Sequence, residues 1–200
     1  MKNSSIILGV VLLLLAIFFM NGCSTRNSLV DMDVKVQAQW HQVENQYQRR
    51  SDLIPNLVAV VQNYADFEKS TLEGVIAARA KATQITIDPS KLDEASIRKF
   101  QQAQGAVSSS LGRLLAVSEN YPQLKANENF MGLQTQLEGT ENRISTERMA
   151  FNEAVQQYNA SIRRFPANIW AGMFGFNQKA FFEMKEGADT APDVNKLFKK

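Results

Sequence analysis

The chain has 200 residues and a mass of 22.4 kDa, with 22 basic and 20 acidic side chains for a net charge of +2. So even a balance argues against a nucleic-acid protein that recruits phosphate through a basic field, and one Cys with one His excludes most zinc, thiolate and Cys/His catalytic designs. Five Pro and ten Gly are too few for a disordered or collagen-like chain.

The first predicted element is an apolar run, Ile6 to Met20, without a polar side chain, preceded by Lys2 and closed by Asn21-Gly22-Cys23. A membrane-spanning helix needs roughly 20 residues, about 17 at the least, whereas a signal-peptide core needs only about 7 to 15. Residues 1–22 therefore read as a signal peptide or a membrane anchor, and 23–27 as a short tether. Cys23 is the only thiol. Met20-Asn21-Gly22-Cys23 resembles a lipobox, with Met20 where Leu is usual and Asn21 larger than the common small residue, which makes Cys23 a candidate for lipidation. The basic residues flanking the run are too sparse to set orientation by charge; the signal-like architecture points to export.

Past Arg26 the pattern is helical. Val36, Trp40, Val43, Tyr47, Arg50, Ile54, Leu57, Val61 and Tyr64 recur at alternating steps of four and three, with Arg50 the one charged member. Ile97, Phe100, Gln104, Val107, Leu111 and Leu114 form a second seam. Phe130, Leu133, Leu137, Thr140 and Ile144 form a third, resumed by Phe151, Val155, Tyr158, Ile162 and Phe165 after a one-residue shift around Arg148. Asp88-Pro89-Ser90 marks a stop with a capping box at Ser90 and Asp93. Asn120-Tyr121-Pro122 interrupts the next helix, Asn127 caps its successor, and Phe165-Pro166 ends it. Pro55 disfavours helical geometry at Ile54 and removes a donor, so a break or kink is expected there. An unbroken helix would instead project as a stalk. The fold expected is all-α, an antiparallel bundle of about four long helices in 28–185, followed by a flexible tail, 186–200, ending in Lys199 and Lys200.

The stretches Gln48-Arg49-Arg50-Ser51-Asp52-Leu53-Ile54-Pro55-Asn56-Leu57, Ala78-Arg79-Ala80-Lys81-Ala82, Glu119-Asn120-Tyr121-Pro122-Gln123-Leu124-Lys125-Ala126-Asn127 and Leu137-Glu138-Gly139-Thr140-Glu141-Asn142-Arg143-Ile144 resemble the LemA family. Asn152, Tyr158-Asn159, Phe165-Pro166 and Gly175-Phe176 extend the resemblance, which covers nearly all of Ser28 to Glu183. Phe151 departs from it, since a tyrosine commonly stands there. The resemblance implies a membrane-attached antiparallel helical bundle, often exported, without an established catalytic activity.

Arg49, Arg50, Asp52, Asn56, Glu119, Asn120, Asn127, Glu138, Glu141, Asn142 and Arg143 flank or lie on the apolar seams. They read as an inter-helix polar network, with Arg50 satisfied by Glu138 or Glu141 because an unpaired buried guanidinium is costly; the alternative is a polar pocket for a peptide terminus or small anion. No metal site is expected: His41 stands alone and off the seam, and Glu138 and Glu141 lack further ligands. Trp170, Phe174, Phe176, Phe181 and Phe182 belong to an aromatic C-terminal segment that either caps the bundle or forms an interaction surface in a membrane interface or with a partner. The expected function is a non-enzymatic, membrane-tethered adaptor or scaffold of the cell envelope, without a cofactor or nucleic acid. Its attachment is through the leader or a lipid on Cys23, its partner a protein at the membrane. A ligand- or peptide-sensing module is the alternative.

Overall fold

The computed structural model describes residues 2–63 and 68–183. Tyr64 of the first seam and the tail 186–200 lie outside the described residues, as do the side chains at 2–8, 11 and 14–18. Among the described residues all regular structure is helical: α1 Lys2–Gln62, α2 Lys69–Thr83, α3 Glu94–Ser118, α4 Pro122–Lys125, α5 Glu128–Arg163 and α6 Ala167–Phe174. No helix among them is long and apolar enough to cross a membrane.

The seam of α1 is what drives its packing. Val36, Trp40, Val43, Tyr47, Arg50, Ile54, Leu57 and Val61 are all buried, one every three or four residues, so a single stripe faces the other helices along the helical part of the chain. Of the break or kink expected at Pro55, the break does not occur: the helix passes through it to Gln62. Pro55 has no N–H to donate to the carbonyl of Ser51 four residues earlier. That carbonyl instead accepts from Arg79 Nε of α2 at 2.8 Å, and Ile54 and Leu57 on either side stay buried. The chain turns after Gln62 instead, and residues 23–27 are helical turns of α1.

Local chemistry sets the later boundaries. Asp93, not Ser90, is the N-cap of α3, accepting from Ser96 N at 2.8 Å. Asp88 accepts from Ser90 N at 2.9 Å and from its hydroxyl at 2.7 Å, which closes a turn before the helix. Both carboxyls are thereby held below their ordinary range, Asp88 first by the Ser90 hydroxyl and Asp93 first by the Ser96 N–H. Asn127 caps α5 by accepting from Phe130 N at 3.1 Å. Helix α5 stops at Arg163, so Phe165, expected on its seam, lies beyond the helix and is 81% exposed.

Direction follows from the contacts. Lys35 bonds Gln157, Gln39 bonds Glu147 and Arg50 bonds Glu141, so α1 and α5 run antiparallel. Trp40 meets Phe100 while Arg50 meets Gln104 and Ser108, so α3 runs with α1. The core has two halves. One gathers Leu29, Trp40, Phe100, Phe151 and Tyr158, the other Leu57, Leu72, Leu111, Leu114 and Phe130. At 1.5 Å per residue α1 is roughly 90 Å long against roughly 54 Å for α5, so the N-terminal turns of α1 outrun the bundle, with α6 folded back on them.

Candidate functional site

Arg50 sits between the two apolar halves and is 2% exposed. Its Nη1 donates to Ser108 Oγ at 2.7 Å and Glu141 Oε2 at 2.9 Å, and its Nη2 to Gln104 Oε1 at 2.7 Å and the Gln104 carbonyl at 3.1 Å. The guanidinium also lies 5.0 Å from the Tyr47 ring centroid. Four acceptors from two helices compensate a charge that would be prohibitive alone. Burial pushes the Tyr47 hydroxyl above its ordinary pKa, opposed by the charges of Arg148 and Arg50. Two hollows flank this layer. One of about 330 Å³ is lined by Ser51, Arg79, Thr83 and Gln104, and one of about 570 Å³ by Gln101, Ser109, Glu141 and Arg148. Ser51 Oγ is buried without a hydrogen-bond partner.

A second constellation holds the chain after α6. Gly175, at φ 76°, ends α6 in the left-handed conformation, and Phe176 N bonds back to Ala171 O at 2.9 Å. Residues 179–183 then lie across α3 and α5, gripped through their backbone. Asn159 donates to Lys179 O at 2.8 Å and accepts from Lys179 N at 2.9 Å; Asn152, two turns earlier, does the same to Phe182 at 3.0 and 2.9 Å. Gln101 pairs likewise with Glu183 at 2.8 and 3.3 Å, and Arg148 donates to Glu183 O at 2.8 Å. A carboxamide has the one donor and one acceptor that a peptide unit needs, so each side chain replaces a strand partner. Phe182 completes the core: it stacks on Trp40 at 5.7 Å, edges Phe151 at 5.4 Å and lies under Arg148 at 4.8 Å. Lys179, buried, reaches Asp33 at 2.7 Å over the ring of Tyr158. Burial first, and the Asp33 charge second, push Tyr158 up to about 12.

At the other end α6 docks on α1. A Cβ at Gly22 would stand 2.7 Å from Trp170 ring carbons, so only glycine lets the indole approach so closely. Trp170 stacks on Phe174 at 6.1 Å, and Arg26 lies 5.6 Å over Phe174.

The LemA family model matches residues 39–195, more than three-quarters of the chain. The chain belongs to the LemA family. Magnetosome proteins MamQ 1 and MamQ 2 of Paramagnetospirillum magneticum are each 31% identical to it over 189 residues, covering 86% of this chain and 70% of the relative. Protein LemA of Metamycoplasma hominis is 22% identical over 186 residues, covering 93% and 81%.

Of the polar residues singled out in the sequence, this LemA family member brings together Arg50 and Glu141. Glu138 faces solvent and accepts from Gln134 at 3.0 Å. Asp52 accepts from Gln48 at 2.8 Å, Glu119 pairs with Lys125, and Asn127 serves as a cap. Arg49, Asn56, Asn142 and Arg143 are exposed, Asn56 lining a shallow hollow with Asn129 and Gln136. Trp170 and Phe182 are buried, Phe176 is half-buried, and Phe174 and Phe181 are exposed. Cys23 is free and exposed. His41 is exposed beside Glu44 at 2.9 Å. Among the described residues no group of His, Cys, Asp or Glu could hold a metal ion. Sequence reading passed over Gln104, Ser108, Asn152, Asn159 and Gln101 as site residues. The signal for two of them was available in Asn152 and Asn159, polar residues seven apart beside the α5 seam.

Proposed function

We propose that this LemA family protein is a membrane-tethered, non-enzymatic helical adaptor of the bacterial cell envelope, attached through its N-terminal apolar run or a lipid on Cys23, with the bundle outside the cytoplasm and a protein partner at the membrane. The continuity of α1 carries this reading. One helix holds the apolar run at its N-terminal end and the core seam from Leu29 to Val61 at the other, so the attachment point and the bundle are one mechanical element. The polar groups in the core serve that element: Arg50 spends its hydrogen bonds on Ser108, Gln104 and Glu141, leaving the layer as a spacer between two apolar halves.

Fractionation of the full chain tests the attachment. Recovery with membranes, resistant to carbonate and released by detergent, is expected; recovery as a soluble protein overturns it. Intact mass then separates a diacylglyceryl-modified chain beginning at Cys23 from an unprocessed one. Photo-crosslinkers at the exposed Met131 and Met149 are expected to trap a protein at the membrane, and lipid adducts alone would overturn the adaptor role.

A sensing module is the second reading, favoured by the unpartnered Ser51 hydroxyl beside the 330 Å³ hollow. A ligand there would raise thermal stability, because it binds the native state alone; an unchanged melting temperature across carboxylate, phosphate and peptide panels overturns it.

A further inference from the structure

We propose that the outer face of α6 rests in the lipid headgroup region, so that the bundle touches the bilayer at a second point beside its anchor. This deepens, and rests on, the membrane attachment proposed above in the form that runs through the apolar segment. Helix α6 carries no charged residue. Its inner side, Trp170 and Ala171, is buried, while Ile169 and Met173, one helical turn apart, are exposed, Met173 by 67%, as is Phe165 just before the helix. Among the described residues nothing covers this face, and its place in the fold indicates what does. Trp170 packs on Gly22, two residues past Met20, the last residue of the apolar run. Two residues advance a helix by about 3 Å, so α6 is docked at the end of that run. Met20 and Phe19 there are themselves exposed. When Ile6–Met20 lies in hydrocarbon, α6 stands at the boundary where an apolar helical face with a nearby indole is stabilised. Exposed Arg163 and Arg164 immediately precede Phe165, and exposed Arg26 follows the run; all three suit anionic headgroups and can keep their charge in the polar layer while their stems lie along the apolar surface.

The test uses the full chain carrying Cys23→Ser, so that a single cysteine placed at Ile169 or, as control, at the exposed Met149 of α5 can bear an environment-sensitive fluorophore. The labelled proteins are reconstituted in phosphatidylcholine–phosphatidylglycerol vesicles and floated, then titrated with headgroup-nitroxide lipid. The expected result is flotation of both, with several-fold stronger quenching and a blue-shifted emission for the Ile169 label. A label at Met173 is expected to repeat it should Ile169→Cys misfold. Flotation with equal, weak quenching at 169, 173 and 149 overturns the α6 contact and leaves the attachment standing. Failure to float overturns the α6 contact and the attachment through the apolar run; because Cys23→Ser removes the lipidation site, attachment through a lipid is judged by the fractionation and intact mass of the unsubstituted chain. A blue shift that persists without lipid and fades on dilution overturns the proposal in favour of a second copy of the chain as the occupant.

Discussion

At the scale of single residues, the decisive difference is between Glu138 and Glu141, one helical turn apart on α5. Only Glu141 reaches Arg50, at 2.9 Å, although its side chain is 48% exposed. A charge-assisted bond to a buried guanidinium contributes about 1.5–3 kcal/mol, less here because water screens the half-exposed partner. Glu141→Gln is therefore expected to lower stability by about 1 kcal/mol or more, and Glu138→Gln by less than about 0.5 kcal/mol. Chemical denaturation of both variants checks the contrast, and equal effects would remove Glu141 from the layer. Tyr158 supplies a pH test. Its folded pKa is about 12 against about 10 in an unfolded chain. The folded state holds its proton longer, so the stability tied to the neutral hydroxyl is complete below about pH 10 and lost as pH rises toward 12. Denaturation between pH 9 and pH 12 should show a fall that Tyr158→Phe diminishes; an unchanged slope in the variant would refute the assignment.

At the scale of elements, two features depend on side chains completing backbone bonds. Helix α1 runs through Pro55, and the carbonyl that proline leaves open is met by Arg79. Arg79→Met keeps most of the aliphatic stem but leaves Ser51 O without that donor. An unsatisfied buried carbonyl costs about 1–3 kcal/mol; this one is half-buried, so a loss of about 1 kcal/mol is expected, with amide exchange accelerated near Ser51 rather than throughout. The segment 179–183 depends in the same way on Asn159, Asn152 and Gln101. Asn159→Asp would retain an acceptor for Lys179 N while setting a second oxygen against Lys179 O, where a donor now stands at 2.8 Å. It is expected to destabilise by about 2–4 kcal/mol and to make the 176–183 stretch a site of limited proteolysis. Retained protease resistance would show that Phe182 packing alone holds the segment. Of the break or kink expected at Pro55 the break did not follow, because propensity is local while the carbonyl's partner lies 28 residues away.

At the scale of the molecule, α1 connects everything: the apolar run, the docking turn for α6, both core halves and the Arg50 layer between them. The close approach of α6 is set by Gly22, where an added methyl would meet the indole at 2.7 Å. Gly22→Ala is expected to push Trp170 away and red-shift its emission, with Trp40, wholly buried, unaffected; overpacking of this kind costs about 1–3 kcal/mol. A single-tryptophan background with Trp40→Phe reads the shift directly, and an unmoved spectrum would mean that the helices re-seat without loss.

Periodicity alone settled the all-helical class and most of the core, because apolar stripes recurring every 3.6 residues on several long segments of one chain are buried most readily against one another. The cap at Asn127 follows from the same local chemistry, whereas the cap expected at Ser90 falls on Asp93, three residues on. Which acidic residue answers Arg50, that α3 rather than α5 supplies three of its four acceptors, and that Asn152 and Asn159 grip a returning backbone were not legible in the same way. Each depends on where distant segments meet. An asparagine on a helix surface has the same local propensity whether it faces water or a peptide unit, and folding brings the peptide unit to it.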